Sequence, residues 1–450
     1  MKKFTIIGGG ATGTLLAVNL IKNAAGPIEI NLIEKRERLG RGVAYSATTD
    51  FHLLNVPAAK MGALAESTEH FYEWLAENNY NFQPNDFVPR RIYGDYLRDI
   101  FRRAVASKPE NVSVNVFDDE AVDVSIADSG AEVVLSSGEK ILSDKVVLAF
   151  GNFLPPHPRA KNLAFVEAER YFHNPWDASI FERMKTTDDV FVIGTGLTGI
   201  DVILSLCNAS HKGRIFAFST HGLLPSVHKL GYTYPSFYDD LKEQTKITDL
   251  FKIVRSHIEN AHAQGSDWRA VIDSLRPHTQ PIWLNLPEAE KRYFIQHLSR
   301  HWNVARHRIP NEAAEVLDEM QATKQLQIMK GRIKNIETAK AGRFDILFTT
   351  GGVENRLSAD AIVNCIGSES NFQRLDSVLV KNLIGKGYIK NDCLNLGIDA
   401  TPDGRTIDTL GNVSDTLLTI GTALKGILWE STAMPEIRAQ TSELALSLVR

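Results

Sequence analysis

The stretch "FTIIGGGATGTLLAVNLI", Phe4 to Ile21, decides the fold class. It follows Met1-Lys2-Lys3, and a basic start before an apolar run is also how a secretory signal peptide opens. The glycines separate the two readings. Gly8, Gly9, Gly10 and Gly13 interrupt what a signal would keep as a continuous apolar helix, and Asn19 and Lys22 close it with polar groups. The same residues suit a short buried strand from Phe4 to Ile7, a glycine turn, and a helix with Leu15, Leu16, Leu20 and Ile21 on its apolar stripe. Gly8, Gly10 and Gly13 stand at G-x-G-x-x-G spacing. Gly8 permits the tight turn, Gly10 lets a pyrophosphate approach the backbone, and Gly13 lets helix and strand pack closely.

One such fingerprint is weak evidence by itself. A second apolar strand, Ile28 to Ile33, ends in Glu34, twenty-one residues past Gly13. A carboxylate at that distance accepts hydrogen bonds from the two ribose hydroxyls of an adenosine. The opening therefore reads as a dinucleotide site and not as a signal.

At Asp189 the pattern returns in "DVFVIGTGLTGIDVILSL". Val190 to Ile193 form the strand, Gly194, Gly196 and Gly199 repeat the spacing 186 residues after Gly8, and Leu197 and Thr198 open the helix. Two fingerprints in one chain are far more specific than one, and the simplest pairing is a flavin with a nicotinamide. The repeat extends past the glycine turns. Beyond the first come a strand near Val112 to Phe117, short strands through Val122, Val133 and Ile141, and "KVVLAFGN". Beyond the second come "LQIMK", strands near Ile333 and Phe344 to Phe348, and "AIVNCIGS". Both halves read as parallel β/α units with an antiparallel meander in the crossover. The count that leads from Gly8 to Glu34 leads from Gly194 to Thr220, so the acidic ribose ligand is missing there. A carboxylate would repel a 2′-phosphate, whereas Ser219, Thr220 and His221 can hydrogen-bond one, which favours NADPH while leaving NADH open.

The chain has 450 residues and a net charge of −4, room for two or three domains and no excess of basic charge for nucleic acid or an anionic membrane. No apolar stretch approaches the roughly 20 residues that cross a bilayer. Cys207, Cys365 and Cys393 form no C-x-x-C or C-x₄-C pair, which fits a reducing cytoplasm, removes the adjacent dithiol of disulfide reductases, and leaves buried structural thiols as the default. Between Tyr232 and Pro310 an insert with helical patterning carries Trp268, Trp283 and Trp302 among Arg276, Arg300, Arg306, Arg308, His297, His301 and His307. It suits a cap that offers cationic and aromatic groups to a planar or anionic substrate, or equally an amphipathic lid with a solvated basic face. His297 and His301 are four apart without an H-E-x-x-H context, so no metal site is expected.

With both turns in place, "GRGVAYSATTDFHLLNVPAAKMGA", "PRRIYGDYL", "VIGTGLTGIDVILSL", "HGLLPSVH" and "GILWESTAMPEIRAQ" together resemble FAD/NAD(P)-binding oxidoreductases of the FAD-dependent urate hydroxylase type. That group is similar in layout to flavin-containing and N-hydroxylating monooxygenases. The resemblance implies that Gly8, Gly10, Ala11, Thr12, Gly13 and Glu34 bind FAD, with Lys35 as an adenosine contact. It places His52, Asn55, Val56 and Met61 beside the flavin ring. Gly421 and Thr422 stand where such proteins often carry Gly-Asp, so an acidic ribityl contact is absent. Ser431 or Thr432 is expected to cap a last helix with Pro435 and Glu436 in its first turn, its free N–H groups aimed at the flavin N1–C2=O edge.

The fold expected is α/β, two Rossmann-like dinucleotide-binding domains of three-layer β/β/α type with a helical insert. FAD takes residues 1–165 and 366–450, NAD(P)H takes 166–231 and 311–365, and 232–310 form the insert. The function expected is a cytoplasmic FAD-dependent monooxygenase that takes hydride from NADPH, forms a C4a-hydroperoxyflavin with O₂ and hydroxylates a small substrate, Asn55 acting in the oxygen half-reaction. The alternatives are a two-electron NAD(P)H-dependent flavin reductase or oxidase, and a flavin-bound sensor, for which a second dinucleotide site would be superfluous. No triad, metal cluster or acid pair stands out, as expected where the cofactor carries the chemistry.

Overall fold

The computed structural model describes residues 1–46, 49–177, 179–339 and 342–450. Strand β1 (Lys2–Ile7) is followed by helix α1 (Ala11–Asn23) and strand β2 (Ile28–Ile33). β1 lies parallel to β2 in the register Lys2↔Ile28 to Ile7↔Ile33. Helices α2 (His70–Glu77) and α3 (Arg90–Ala106) lead to β3 (Val112–Phe117), a meander β4 (Ala121–Ala127), β5 (Gly130–Leu135) and β6 (Lys140–Ser143), and then β7 (Lys145–Leu148).

Alternation along β1 explains the layers. Phe4 and Ile6 pack with Leu16 and Leu20 on the helical face, while Ile7 packs with Val124, Val133 and Leu148 under the meander. Ile6, Leu16 and Leu20 are wholly buried, each worth about 2 kcal/mol in transfer from water.

The second half repeats this plan. After β8 (Tyr171–Phe172) and the short helix α4 (Ile180–Arg183) come β9 (Val190–Ile193), α5 (Leu197–Asn208) and β10 (Ile215–Ser219). Helices α6 (Tyr238–Leu241), α7 (Ile247–Ala263), α8 (Trp268–Ser274), α9 (Thr279–Asn285), α10 (Glu288–His297) and α11 (Ser299–Arg306) interrupt before α12 (Asn311–Ala322) and β11 (Leu326–Lys330). A second meander comes next, β12 (Arg332–Thr338), β13 (Phe344–Thr350) and β14 (Val353–Ala359), then β15 (Ala361–Asn364). The sheet order β11-β10-β9-β15-β8 is parallel throughout. Val190 and Val192 face Ile203 and Leu317 on the helical side, and Phe191 and Ile193 face Phe344 and Ile346 of the meander. Each half is thus a β/β/α sandwich.

The chain then returns to the first sheet through α13 (Val378–Gly385), β16 (Arg405–Ile407), β17 (Val413–Thr419) and α14 (Met434–Val449). This completes the order β16-β17-β7-β1-β2-β3, with β16 alone antiparallel. The helical insert leaves and re-enters at one place, since Val227 bridges Ile309. It has its own core around Leu250, Trp283 and Phe294, joined by Trp429 from the returning chain. No helix among the described residues is long and apolar enough to cross a membrane. The thiol expectation is corrected for two residues: Cys365 is buried, but Cys207, on the last turn of α5, and Cys393, in the loop after α13, are exposed.

Candidate functional site

The carboxyl ends of β1, β2, β7 and β17 converge on one edge, where ligands of open α/β sheets sit. Gly8 has φ 103°, and a Cβ on it would stand 2.3 Å from the carbonyl oxygen of Ala149, just past β7. A Cβ on Gly13 would stand 1.8 Å from the Gly8 carbonyl oxygen. Gly10 is the N-cap of α1, with no side-chain cap. The first-turn N–H groups at Ala11, Thr12 and Gly13 therefore remain available to a phosphate. Gly10 has a further duty: a Cβ there would lie 3.3 Å from the Cα of Gly42, whose loop lies over the turn.

Glu34 is half-buried, and its carboxylate accepts from the N–H of Gly9 at 3.1 Å and of Lys35 at 2.9 Å. Burial raises its pKa while these bonds and Arg38 oppose that shift. Each oxygen keeps a lone pair for a ribose hydroxyl. Lys35 itself is exposed. Gly421, with φ 75°, would place a Cβ 3.0 Å from Thr12 Oγ1, so β17 ends against the first turn of α1. Thr422 donates through Oγ1 to the Gly151 carbonyl at 2.5 Å. These glycines and Glu34 make a cradle that fits the adenosine and pyrophosphate of FAD.

The last helix begins later than expected. Ala433 is the N-cap of α14 with no side-chain cap, Pro435 and Glu436 lie in the first turn, and Ser431 is fully buried with an unpartnered Oγ. The cap of Ser431 or Thr432 is lost because the preceding segment is pinned from outside. Trp302 Nε1 donates to Glu430 Oε1 at 2.7 Å, Arg306 Nε to Glu430 Oε2 at 3.2 Å, and Arg276 grips both oxygens of Glu436 at 3.0 and 2.9 Å.

The second edge repeats the first in atomic detail. A Cβ on Gly194 would meet the Cys365 carbonyl oxygen at 2.1 Å, and one on Gly199 the Gly194 carbonyl oxygen at 2.2 Å. Gly196 is exposed with open space beyond its Cα, and Leu197 and Thr198 are half-buried at the start of α5. The Ser219 hydroxyl is engaged between the glycine turn and its own loop, 2.8 Å from Thr195 Oγ1 and accepting from Gly222 N–H at 3.0 Å. Thr220 is exposed and lines a cavity of about 240 Å³ with Lys330 and Arg332. Neither cation is foreseeable from the sequence around Thr220. They arrive because β11 pairs with β10 in the register Ser219↔Lys330. His221 is exposed, its pKa lowered by desolvation and by Arg300, His301 and Arg332. The cavity suits a phosphate.

Between the two edges runs the segment that carries His52, Asn55, Val56 and Met61. His52 Nε2 lies 2.7 Å from Ser205 Oγ and 3.2 Å from the Asp201 carbonyl oxygen, so this ring is turned to α5. Its pKa is lowered by burial, with Asp201 opposing. Arg90, at the start of α3, donates to Asp201 at 2.7 Å and to the Leu53 carbonyl at 3.0 Å. The Asn55 carbonyl accepts from His228 Nε2 at 3.0 Å, while its half-buried side chain makes no hydrogen bond among the described residues. Val56 is half-buried. Met61 is only 3 % exposed and packs into the cluster of Phe71, Tyr93 and Tyr96, not toward an open face. No group of side chains suited to a metal ion occurs among the described residues.

Residues 5–153 match the model of the FAD-NAD(P)-binding family. The chain is 25 % identical over 264 residues to the uncharacterized protein YdhS of Escherichia coli, covering 50 % of this chain and 47 % of that one. It is 29 % identical over 160 residues to nitrosuccinic acid synthase of Aspergillus oryzae, covering 34 % of this chain and 24 % of that one. The matches thus span about half and a quarter of those relatives' lengths. L-lysine 6-monooxygenase from Pseudomonas syringae superposes with a TM-score of 0.64 at 15 % identity, over 99 % of this chain and 98 % of that one. At that identity the likeness is one of fold. The fold is that of the flavin-dependent, NAD(P)-binding oxidoreductases.

Proposed function

We propose that the chain is an FAD-dependent monooxygenase that draws hydride from NADPH and uses O₂ to oxygenate a small substrate. When bound, FAD supplies hydride acceptance and oxygen activation. The protein orients and shields. Glu34 receives the adenosine ribose, and the starts of α1 and α5 receive the two pyrophosphates. The uncapped start of α14 offers N–H groups to the N1–C2=O edge of the ring. Thr220, Lys330 and Arg332 take the 2′-phosphate, which favours NADPH over NADH. On this reading FAD occupies 1–165 and 366–450, NADPH occupies 166–231 and 311–365, and 232–310 cap the ring and exclude water.

The observation that carries the reading is Asn55. Its backbone is fixed between the two nucleotide edges by His228, while its amide stays unengaged. An amide there can donate to an oxygen held at the ring or steady the nicotinamide against it. Simple reductase chemistry finds less support. The three cysteines are free and stand on separate elements, and burial pushes the Cys365 thiol well up. Three free thiols also fit a reducing cytoplasm. The test is anaerobic reduction by NADPH followed by rapid mixing with O₂. A transient absorbance distinct from both oxidised and reduced flavin is expected. A single-phase return to oxidised flavin with one equivalent of peroxide would favour an oxidase.

A further inference from the structure

The helical insert forms an apolar chamber, about half open to solvent, that neither nucleotide edge uses. We infer that it binds an uncharged alkyl or aryl group, the apolar part of the substrate; this rests on the monooxygenase reading above. The chamber measures about 330 Å³. A dry apolar cavity of about 150 Å³ accepts benzene, so this one has room for about two rings or a chain of similar bulk. Trp268, Trp283, Trp302 and Trp429 line it, and besides these indoles only Arg255, Thr279 and His301 bring polar side chains to its wall among the described residues. Apolar surface in a hollow of this kind is covered more favourably by an apolar guest than by water.

Its wall reaches the connection into α14, whose start the reading above sets at the ring. Trp429 closes the chamber on the side of the connection into α14, and Trp302 lines the chamber while its Nε1 holds Glu430. Glu430 has φ 65°, a left-handed conformation rarely taken by glutamate, and is 5 % exposed. Trp283 Nε1 donates to the Gly426 carbonyl at 2.9 Å. The stretch from Gly426 to Glu430 is therefore held between the chamber, which it meets through Trp429, and the start of α14. A docked helix or second copy would need a row of exposed apolar side chains. Among the described residues of the wall, Phe251, 54 % exposed, is the only large apolar one that is strongly exposed.

The test is calorimetric titration of the FAD-loaded full chain, without NADPH, using indole, n-octylamine and L-lysine as probes. Saturable one-to-one binding of indole or n-octylamine is expected, with none of L-lysine. Ala305→Phe, which fills space at a half-buried wall position, should weaken that binding at least tenfold without changing flavin content or the rate of NADPH reduction. If that variant does not fold, Val254→Phe serves instead. Absence of saturable binding up to about millimolar probe, or binding indifferent to the filling variant, overturns the inference. So does a concentration-dependent dimer that Phe251→Glu dissociates and that probes do not disturb. Because no turnover is needed, probe binding in a protein whose reduced flavin shows no transient absorbance on rapid mixing with O₂ would defeat the monooxygenase reading and leave the chamber standing.

Discussion

Arg90 Nη1 lies 2.7 Å from Asp201 Oδ2, and this pair ties the start of α3, beside the first nucleotide edge, to the helix that leaves the second glycine turn. Both side chains are largely buried, 18 % and 11 % exposed. Removing one member of a buried pair strands the other without solvent, which typically costs about 3 kcal/mol. Asp201→Ala should lower unfolding stability by about that amount in urea titration and slow flavin reduction by NADPH, since Arg90, which also holds the Leu53 carbonyl, loses its anchor. An unchanged midpoint would mean that Arg90 is solvated in the variant.

Gly10→Val should yield colourless protein. The new side chain begins 3.3 Å from the Cα of Gly42 and displaces the loop that lies over the pyrophosphate turn. Flavin absorbance of the purified variant decides the matter, and full flavin retention would move the FAD site elsewhere.

Arg332→Ala should raise the KM for NADPH roughly ten- to a hundredfold, the range of one lost charge-assisted hydrogen bond, while leaving NADH nearly untouched. Thr220→Glu should invert the preference by repelling the 2′-phosphate in the same cavity. Steady-state kinetics with both nicotinamides would expose a mislocated 2′-phosphate if the ratio held constant in either variant.

Stability should fall on acidification. Burial holds His228 and His307 down at about 4 each, against an ordinary value near 6.5. Between about pH 6.5 and 4 the unfolded chain therefore binds more protons than the folded one. The contribution is complete above about pH 6.5 and is lost as pH drops, by up to about 2 kcal/mol per histidine near pH 5. Urea midpoints at about pH 7.5 and 5 measure it. His228→Asn should flatten the dependence, and an identical slope would show that His228 is protonated in the folded protein.

Asn55→Ala should leave flavin content and reduction by NADPH intact but raise the share of oxygen released as hydrogen peroxide. The side-chain amide bonds to no protein group among the described residues, so truncation removes little structure. Peroxide yield and flavin reoxidation equal to the parent would make Asn55 a backbone anchor only.

The sequence by itself determined the two nucleotide turns and the layer order of each half. The reason is locality. The clash that forbids a side chain at Gly13 is with Gly8, within the same turn, and that at Gly199 is with Gly194. The alternation that sends Ile6 to the helices and Ile7 to the meander is a property of consecutive residues in a strand. Glu34 was legible for the same reason, since it ends the strand next in line.

Tertiary structure alone decided what strand pairing and packing brought together from distant parts of the chain. Lys330 and Arg332 reach Thr220 only because β11 adds beside β10 after the whole helical insert. Asp201 reads as one polar residue on an apolar helix until Arg90 is placed against it. Ser431 and Thr432 have the chemistry of a helix cap, yet bonds from Arg306 and Trp302 to Glu430 hold the chain so that α14 starts behind them at Ala433. Local propensity sets where a helix can begin; contacts of that strength from another element set where it does.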